Sequence, residues 1–144
     1  MSNTKPAIGA IFPISASHAE RFFEEKKTVF VKFTGMSLFK AGSKIVFYVT
    51  KEKSLFGEGT VKTIQKMSPS EVWNKYNKDL FLNQGEYDSY THWSSVEGKP
   101  RGNGEIAVFV LKSLKKYNKP VSIKGITSSG RYLSEEEYNK INYG

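Results

Sequence analysis

Lys26-Lys27-Thr28-Val29-Phe30-Val31-Lys32 is the stretch whose residue types and spacing could act on an anion. An ammonium held on a strand face beside an aromatic ring can grip a phosphate or polarise a carbonyl. Alternation by two puts Thr28, Phe30, Lys32 and Thr34 on one mixed face and Val29, Val31 and Phe33 on a wholly apolar one. Lys27 stands at the strand mouth. A plainer role fits the same residues: Lys26 and Lys27 cap the dipole of a preceding helix while Lys32 points to water, and spacing alone leans that way.

Trp93 is the second candidate. It sits in the polar segment 91–104, which also carries Lys99 and Arg101. Long loops in compact domains often serve as lids or binding loops. Trp93 could stack on a base while Lys99 and Arg101 meet phosphates, or it could fold back as a core plug; both remain open. The third candidate is Thr127-Ser128-Ser129-Gly130-Arg131, where hydroxyls and Arg131 around a glycine turn could form an anion nest, although a plain loop before the last helix is the commoner meaning.

Other chemistries drop out. There is no cysteine, which removes disulfides, thiol nucleophiles and iron–sulfur clusters. Two histidines, His18 and His92, make a His-rich metal site unexpected, and neither has a nucleophile-site pattern around it. Glu86 and Asp88 face different ways on a helix, and Glu135, Glu136 and Glu137 favour a helix N-terminus without any further role. Gly57-Glu58-Gly59 lacks the third glycine of a dinucleotide site. Lys and Arg number 22 against 14 Asp and Glu, a net charge of +8, and such a basic domain attracts polyanions, nucleic acid above all.

The elements that must position these residues are short. At 144 residues, one domain over 1–144 is expected. Strands are expected at Ala7–Phe12, Thr28–Thr34, Lys44–Thr50, Gly57–Lys66, Glu105–Lys112 and Val121–Lys124. Helices are expected from the capping patterns Ser17–Glu20, Ser68-Pro69-Ser70-Glu71, Asn83–Glu86 and Ser134–Glu137. Gly57 and Gly59 should mark a bulge or a close backbone approach. The strands around Lys32 and Tyr48 are joined by a short connection at Gly35–Ser43 and are expected to be neighbours, so that Lys32, Tyr48 and Trp93 converge on one cleft. Irregular alternation of strands and helices disfavours a doubly wound sheet. No apolar run approaches the ~20 residues of a membrane helix, and no signal-peptide core follows the N-terminus, so a cytoplasmic protein is expected.

Lys26-Lys27-Thr28-Val29-Phe30-Val31-Lys32, followed by Gly42-Ser43-Lys44-Ile45-Val46-Phe47-Tyr48 and Gly57-Glu58-Gly59-Thr60-Val61, resembles the ASCH and EVE branches of the PUA-like superfamily. The whole chain looks like an archaeal family of uncharacterised PUA-like proteins. Its hallmarks are Ile11-Phe12-Pro13, Phe30-Val31-Lys32, Phe47-Tyr48, Gly57-Glu58-Gly59, Lys116-Tyr117-Asn118-Lys119-Pro120 and the run Tyr132–Tyr138. The resemblance implies an α+β fold, a β-pseudobarrel of five to six short strands with three to four small peripheral helices. It also implies a cleft for RNA or a modified nucleotide. The ASCH pattern Gly-x-Lys-x-x-Glu-x-Arg, laid on this chain, puts Lys27 at its lysine and Lys32 at its arginine, with Glu25 and Phe30 departing from it. Some ASCH-like relatives hydrolyse acylated cytidine with a Thr where Phe30 stands, and Phe30 has no hydroxyl to offer.

The expectation is a binding protein rather than an enzyme, with Lys27, Lys32, Tyr48, Trp93, Lys99, Arg101 and Arg131 as ligand-binding residues. No cofactor, metal or membrane is expected, and the oligomeric state stays open. The alternatives are a small hydrolase or transferase acting on modified nucleosides, and a protein-interaction module centred on the Trp93 loop.

Overall fold

The computed structural model describes residues 7–32, 39–92, 105–123 and 130–143. Their order is β1 (Ala7–Ile14), α1 (Ala16–Glu24), β2 (Val29–Lys32), β3 (Lys44–Val49), β4 (Ser54–Met67), α2 (Pro69–Tyr76), α3 (Gln84–His92), β5 (Ile106–Ser122), β6 (Arg131–Ser134) and α4 (Glu135–Tyr143). One six-stranded sheet has the order β2-β5-β4-β3-β1-β6. β1 and β3 run parallel, and every other neighbouring pair is antiparallel. The expected α+β architecture is present.

Several expectations on the elements need correction. The strands expected at Glu105–Lys112 and Val121–Lys124 belong to one strand: β5 is 17 residues long and pairs with the 14-residue β4 from Ile106↔Met67 to Ser122↔Ser54. Its polar middle reads as a loop in sequence, but those residues face water on a strand whose backbone β4 satisfies. The expected pairing of the Lys32 and Tyr48 strands is absent. β2 pairs with β5, whereas β3 lies between β4 and β1. Arg131, expected in the loop before the last helix, instead opens the edge strand β6. α1 is capped by Ser15, not Ser17: Ser15 is extended (φ −72°, ψ 154°) directly off β1, and its Oγ accepts from the His18 N–H at 3.3 Å. The other starts are placed as expected. Asn83 and Glu86 cap reciprocally, with Glu86 N–H donating to Asn83 Oδ1 at 2.8 Å and Asn83 N–H to Glu86 Oε1 at 2.9 Å.

The sheet is strongly coiled. β2 and β1 have three strands between them, so a flat sheet would hold them about 19 Å apart at its usual ~4.8 Å spacing. Yet the Phe12 and Phe30 rings lie 5.6 Å apart, and Phe12 and Phe109 5.8 Å. Bulges along β4 and β5, between Leu55/Gly57, Glu58/Thr60 and Val61/Thr63, bend the long strands and make that curl feasible. The main core, with Phe12, Phe22, Phe30, Phe47 and Phe109, fills the concave side. A smaller cluster of Ile11, Val46, Tyr48, Leu55 and Leu133 lies apart from it, where alternation along β1 and β3 presents the neighbouring residues.

Gly57 makes the close approach that its position suggests. A Cβ there would meet the Lys115 carbonyl oxygen and the Phe23 ring, each at 2.7 Å. Gly57→Ala is therefore expected to destabilise by about 1–3 kcal/mol through overpacking. The readout is a lower urea midpoint at unchanged slope. A wild-type midpoint would mean that the β4–β5 seam can open at this point.

Candidate functional site

A cavity of about 190 Å³ opens where the end of β1, the start of α1, β2 and the entry to α3 meet. Pro13 and Ile14 come from β1, Ser15 and His18 from the start of α1, Phe30, Val31 and Lys32 from β2, and Phe81, Leu82 and Glu86 from the α3 side. Phe30 and Phe81 stack at 5.5 Å and are core residues, 2% and 6% exposed, so the apolar wall is part of the packed interior. The half-buried Lys32 carries its Nζ 6.0 Å from the Phe12 ring centroid.

The polar side is built around Glu86. Its carboxylate accepts from Arg21, from His18 Nε2 at 3.0 Å and from the Asn83 backbone N–H at 2.9 Å. Arg21 also donates to the Phe81 carbonyl at 3.0 Å, tying the aromatic wall to α1. His18 donates from Nε2 because the carboxylate can only accept, which leaves Nδ1 as an acceptor in the neutral ring. The Arg21 hydrogen bond, helped by the Asn83 amide and His18, holds the Glu86 carboxyl down at about 2 despite the opposing cost of burial, and Arg21 is raised in turn. None of this was read from sequence. Glu86 already had a sufficient role as the Asn83 capping partner, and its partners lie 65 and 68 residues away. The available signal was His18 and Arg21 at i, i+3 on one helix face.

The residues singled out from sequence scatter. Phe30 and Lys32 share the cavity, together with Val31 between them. Lys27 is not among its lining residues; its Nζ donates to the Lys78 carbonyl at 3.1 Å and lies 3.6 Å from Glu25. Tyr48 is 2% exposed and belongs to the smaller cluster, so it does not converge with Lys32. The physical reason is alternation along β3: Phe47 reaches the Phe30 ring at 5.2 Å, whereas Tyr48 next to it points to the opposite face and the smaller cluster. Arg131 is paired with Glu137 at 2.7 Å on the far edge. Trp93, Lys99 and Arg101 lie outside the described residues, as do Thr127, Ser128 and Ser129 of the third candidate.

Three of the sequence hallmarks meet in a different cluster. Glu58, 3% exposed, accepts from Tyr117 Oη at 3.0 Å and from Tyr138 Oη at 2.6 Å. Lys44 lies 3.8 Å from Glu58 and donates to Thr60 at 2.9 Å. Burial, then the Glu58 charge, pushes the Tyr117 phenol far up, so it stays a donor. This network fastens β5 and α4 to β4. Among the described residues no group of three or more His, Cys, Asp or Glu could hold a metal, and no helix is long and apolar enough to cross a membrane.

This coiled sheet with its end helices is an ASCH-type fold. ASCH from Zymomonas mobilis superposes with a TM-score of 0.74 at 20% identity over 94% of each chain. A single-site variant of that protein gives 0.76 at 19% identity, covering 97% of this chain and 98% of the other. The N-terminal domain of Staphylothermus marinus McrB gives 0.64 at 18% identity, over 95% and 94%. At such identities the likeness is one of fold. The chain itself belongs to the family described as a domain of unknown function, DUF365, whose model matches residues 7–135. An uncharacterised protein of the archaeon Methanocaldococcus jannaschii is 33% identical over 104 residues, 68% of this chain and 95% of that protein. Large ribosomal subunit protein uL22 of Ureaplasma parvum is 28% identical over 108 residues, 74% of this chain but 31% of that protein.

The Glu86 clamp predicts an acid dependence. A folded-state carboxyl below the ordinary value of 4.5 means that the unfolded chain takes up the proton first. The clamp's stabilisation is thus complete above that value and is lost as pH falls toward about 2. The stability gap between wild type and Glu86→Gln, measured by urea denaturation across the acid range, should shrink as pH drops. A constant gap would show that Arg21 does not hold the carboxylate in this way.

Proposed function

We propose that the chain is a PUA-like nucleic-acid-binding domain that holds one nucleotide, of RNA or of a modified type, in the 190 Å³ cavity. The observation that carries this reading is the cavity's composition: a wall of core aromatic rings facing a cation and a fixed hydrogen-bonding edge. Bases taken out of a stack are held by that combination of apolar contact and polar edge recognition. Drug-sized ligands fill about 300–1,000 Å³, so a cavity of this size suits a single base better than a dinucleotide. Lys32 meets a phosphate or a base carbonyl, and His18 presents Nδ1, its ring fixed by Glu86. The net charge of +8 draws the polyanion, and the partial similarity to a ribosomal protein agrees with an RNA partner. Trp93, Lys99 and Arg101, outside the described residues, enter from sequence as candidates for base stacking and phosphate contact.

The test is fluorescence anisotropy with a labelled single-stranded RNA of mixed sequence, about ten nucleotides long. Binding should weaken with salt, and Lys32→Ala should lower the salt slope by about 0.7. Trp93→Ala should weaken binding roughly tenfold if its ring stacks on a base. The ribonucleoside monophosphates should compete. Salt-independent binding, or no competition together with wild-type affinity in Lys32→Ala, would overturn the reading.

A hydrolytic role has one observation in its favour, the His18–Glu86 pair beside Ser15 in the same cavity. Phe30 and the distant Lys27 speak against acyl-cytidine hydrolysis in particular. Acetylated cytidine should show no turnover above background. Turnover abolished by His18→Ala would move the assignment to a hydrolase.

A further inference from the structure

A second cavity, of about 440 Å³, lies at the other end of α1, between that helix's C-terminus, Thr28 and the middle of β5. Phe23 and Leu111 contribute apolar lining. Lys26, Lys112 and Lys116 line it together with the hydroxyls of Thr28 and Ser113, against one carboxylate, Glu24. Among the described residues none of the three lysines is in an ion pair. Lys116 is steadied instead by the Phe56 ring, 5.1 Å from its Nζ.

The backbone here is unusual in a way that bears on purpose. Lys26 (φ 53°) and Ser113 (φ 54°) are left-handed, and both line this groove. Lys26 ends α1 in a Schellman turn, with Lys27 N–H donating to the Phe22 carbonyl at 2.9 Å and Lys26 N–H to that of Phe23 at 3.4 Å. Ser113 lies in a bulge, where Lys112 and Lys115 of β5 oppose Thr60 and Glu58 of β4. Glycine is the unstrained residue at both kinds of position. The chain carries a cation at one and a hydroxyl at the other. Strained backbone positions cluster at ligand sites, and two of the three left-handed non-glycine residues among those described line this groove.

We infer that this groove binds the phosphodiester backbone of the single-stranded nucleic acid whose nucleotide occupies the first cavity, a claim that rests on the nucleic-acid reading of that cavity. Thr28, just before β2, borders the groove, and Lys32, at the end of β2, borders the cavity. Four residues of strand span about 13 Å. That is roughly four stacked nucleotides at about 3.4 Å each. Glu24, the one carboxylate in the lining, repels a phosphate from the helix side of the groove.

The experiment compares Lys26→Gly, Lys112→Ala and their double variant with Lys32→Ala, using the same labelled RNA and the ribonucleoside monophosphates. Lys26→Gly relieves the left-handed turn, so its thermal midpoint should equal or exceed the wild-type value. Each groove variant should lose about fivefold in RNA affinity near 0.1 M salt, and about 0.7 in salt slope. The double variant should lose about 25-fold, with monophosphate binding unchanged. Wild-type RNA affinity and slope in the folded double variant, or no RNA binding by the wild type, overturns the groove; monophosphate binding would still leave the first cavity standing. Loss of RNA affinity in the groove variants, with Lys32→Ala and the monophosphates without effect, supports the groove and sinks the first cavity instead. If Lys26→Gly fails to fold, the exposed Lys112→Ala decides alone.

Discussion

Phenylalanine rings from four strands have to meet on the inside of this sheet, and the rest of the molecule follows from that. Phe30 lies 5.2 Å from Phe47 and 6.0 Å from Phe109, and Phe12 reaches both Phe30 and Phe109. Strands at opposite ends of the order supply these rings, so burying their area requires coiling rather than a flat sheet. The curl leaves a seam beside β2, which α1 covers with Phe22 and the chain before α3 covers with Phe81. The first cavity is what remains of that seam. Its apolar wall is stiff because the rings that line it are also core rings, and close-packed interiors have few alternative arrangements.

Two carboxylates fasten the helices to this coil in the same way. Glu86 joins α3 to α1 through Arg21 and His18, and Glu58 joins β4 to β5 and α4 through Tyr117 and Tyr138. Each is satisfied by several donors, as a sequestered charge must be. Among the described residues no buried side-chain polar atom lacks a partner. The first clamp borders a cavity and the second is sealed, and this difference separates a candidate site from a structural network of similar chemistry.

Several acidic residues are absorbed in such work. Glu86 and Glu137 accept from the capping residues' N–H groups, Glu71 accepts from the Ser68 hydroxyl, and Glu58 anchors tyrosines. Lys32, Lys26, Lys112 and Lys116 line concave surfaces instead. Of the 22 basic residues, four lysines line the two hollows that flank α1. Long-range attraction depends on the sum of charge, while a site depends on where it is focused.

Local physics was legible in the residues. Ser68-Pro69-Ser70-Glu71, Asn83–Glu86 and Ser134–Glu137 specify helix starts because a cap is made within four residues. The alternation of β2 put Phe30 and Lys32 on one face, and Gly57 announced a close approach. The ASCH resemblance carried the architecture. What depends on distant partners was not legible. The strand order that sets β4 and β5 between β2 and β3, the fusion of two expected strands into β5, and the clamp on Glu86 each depend on partners remote in sequence. A side chain's local pattern states what it can bond, but only the coil of the sheet decides which distant donor or ring comes within reach of it.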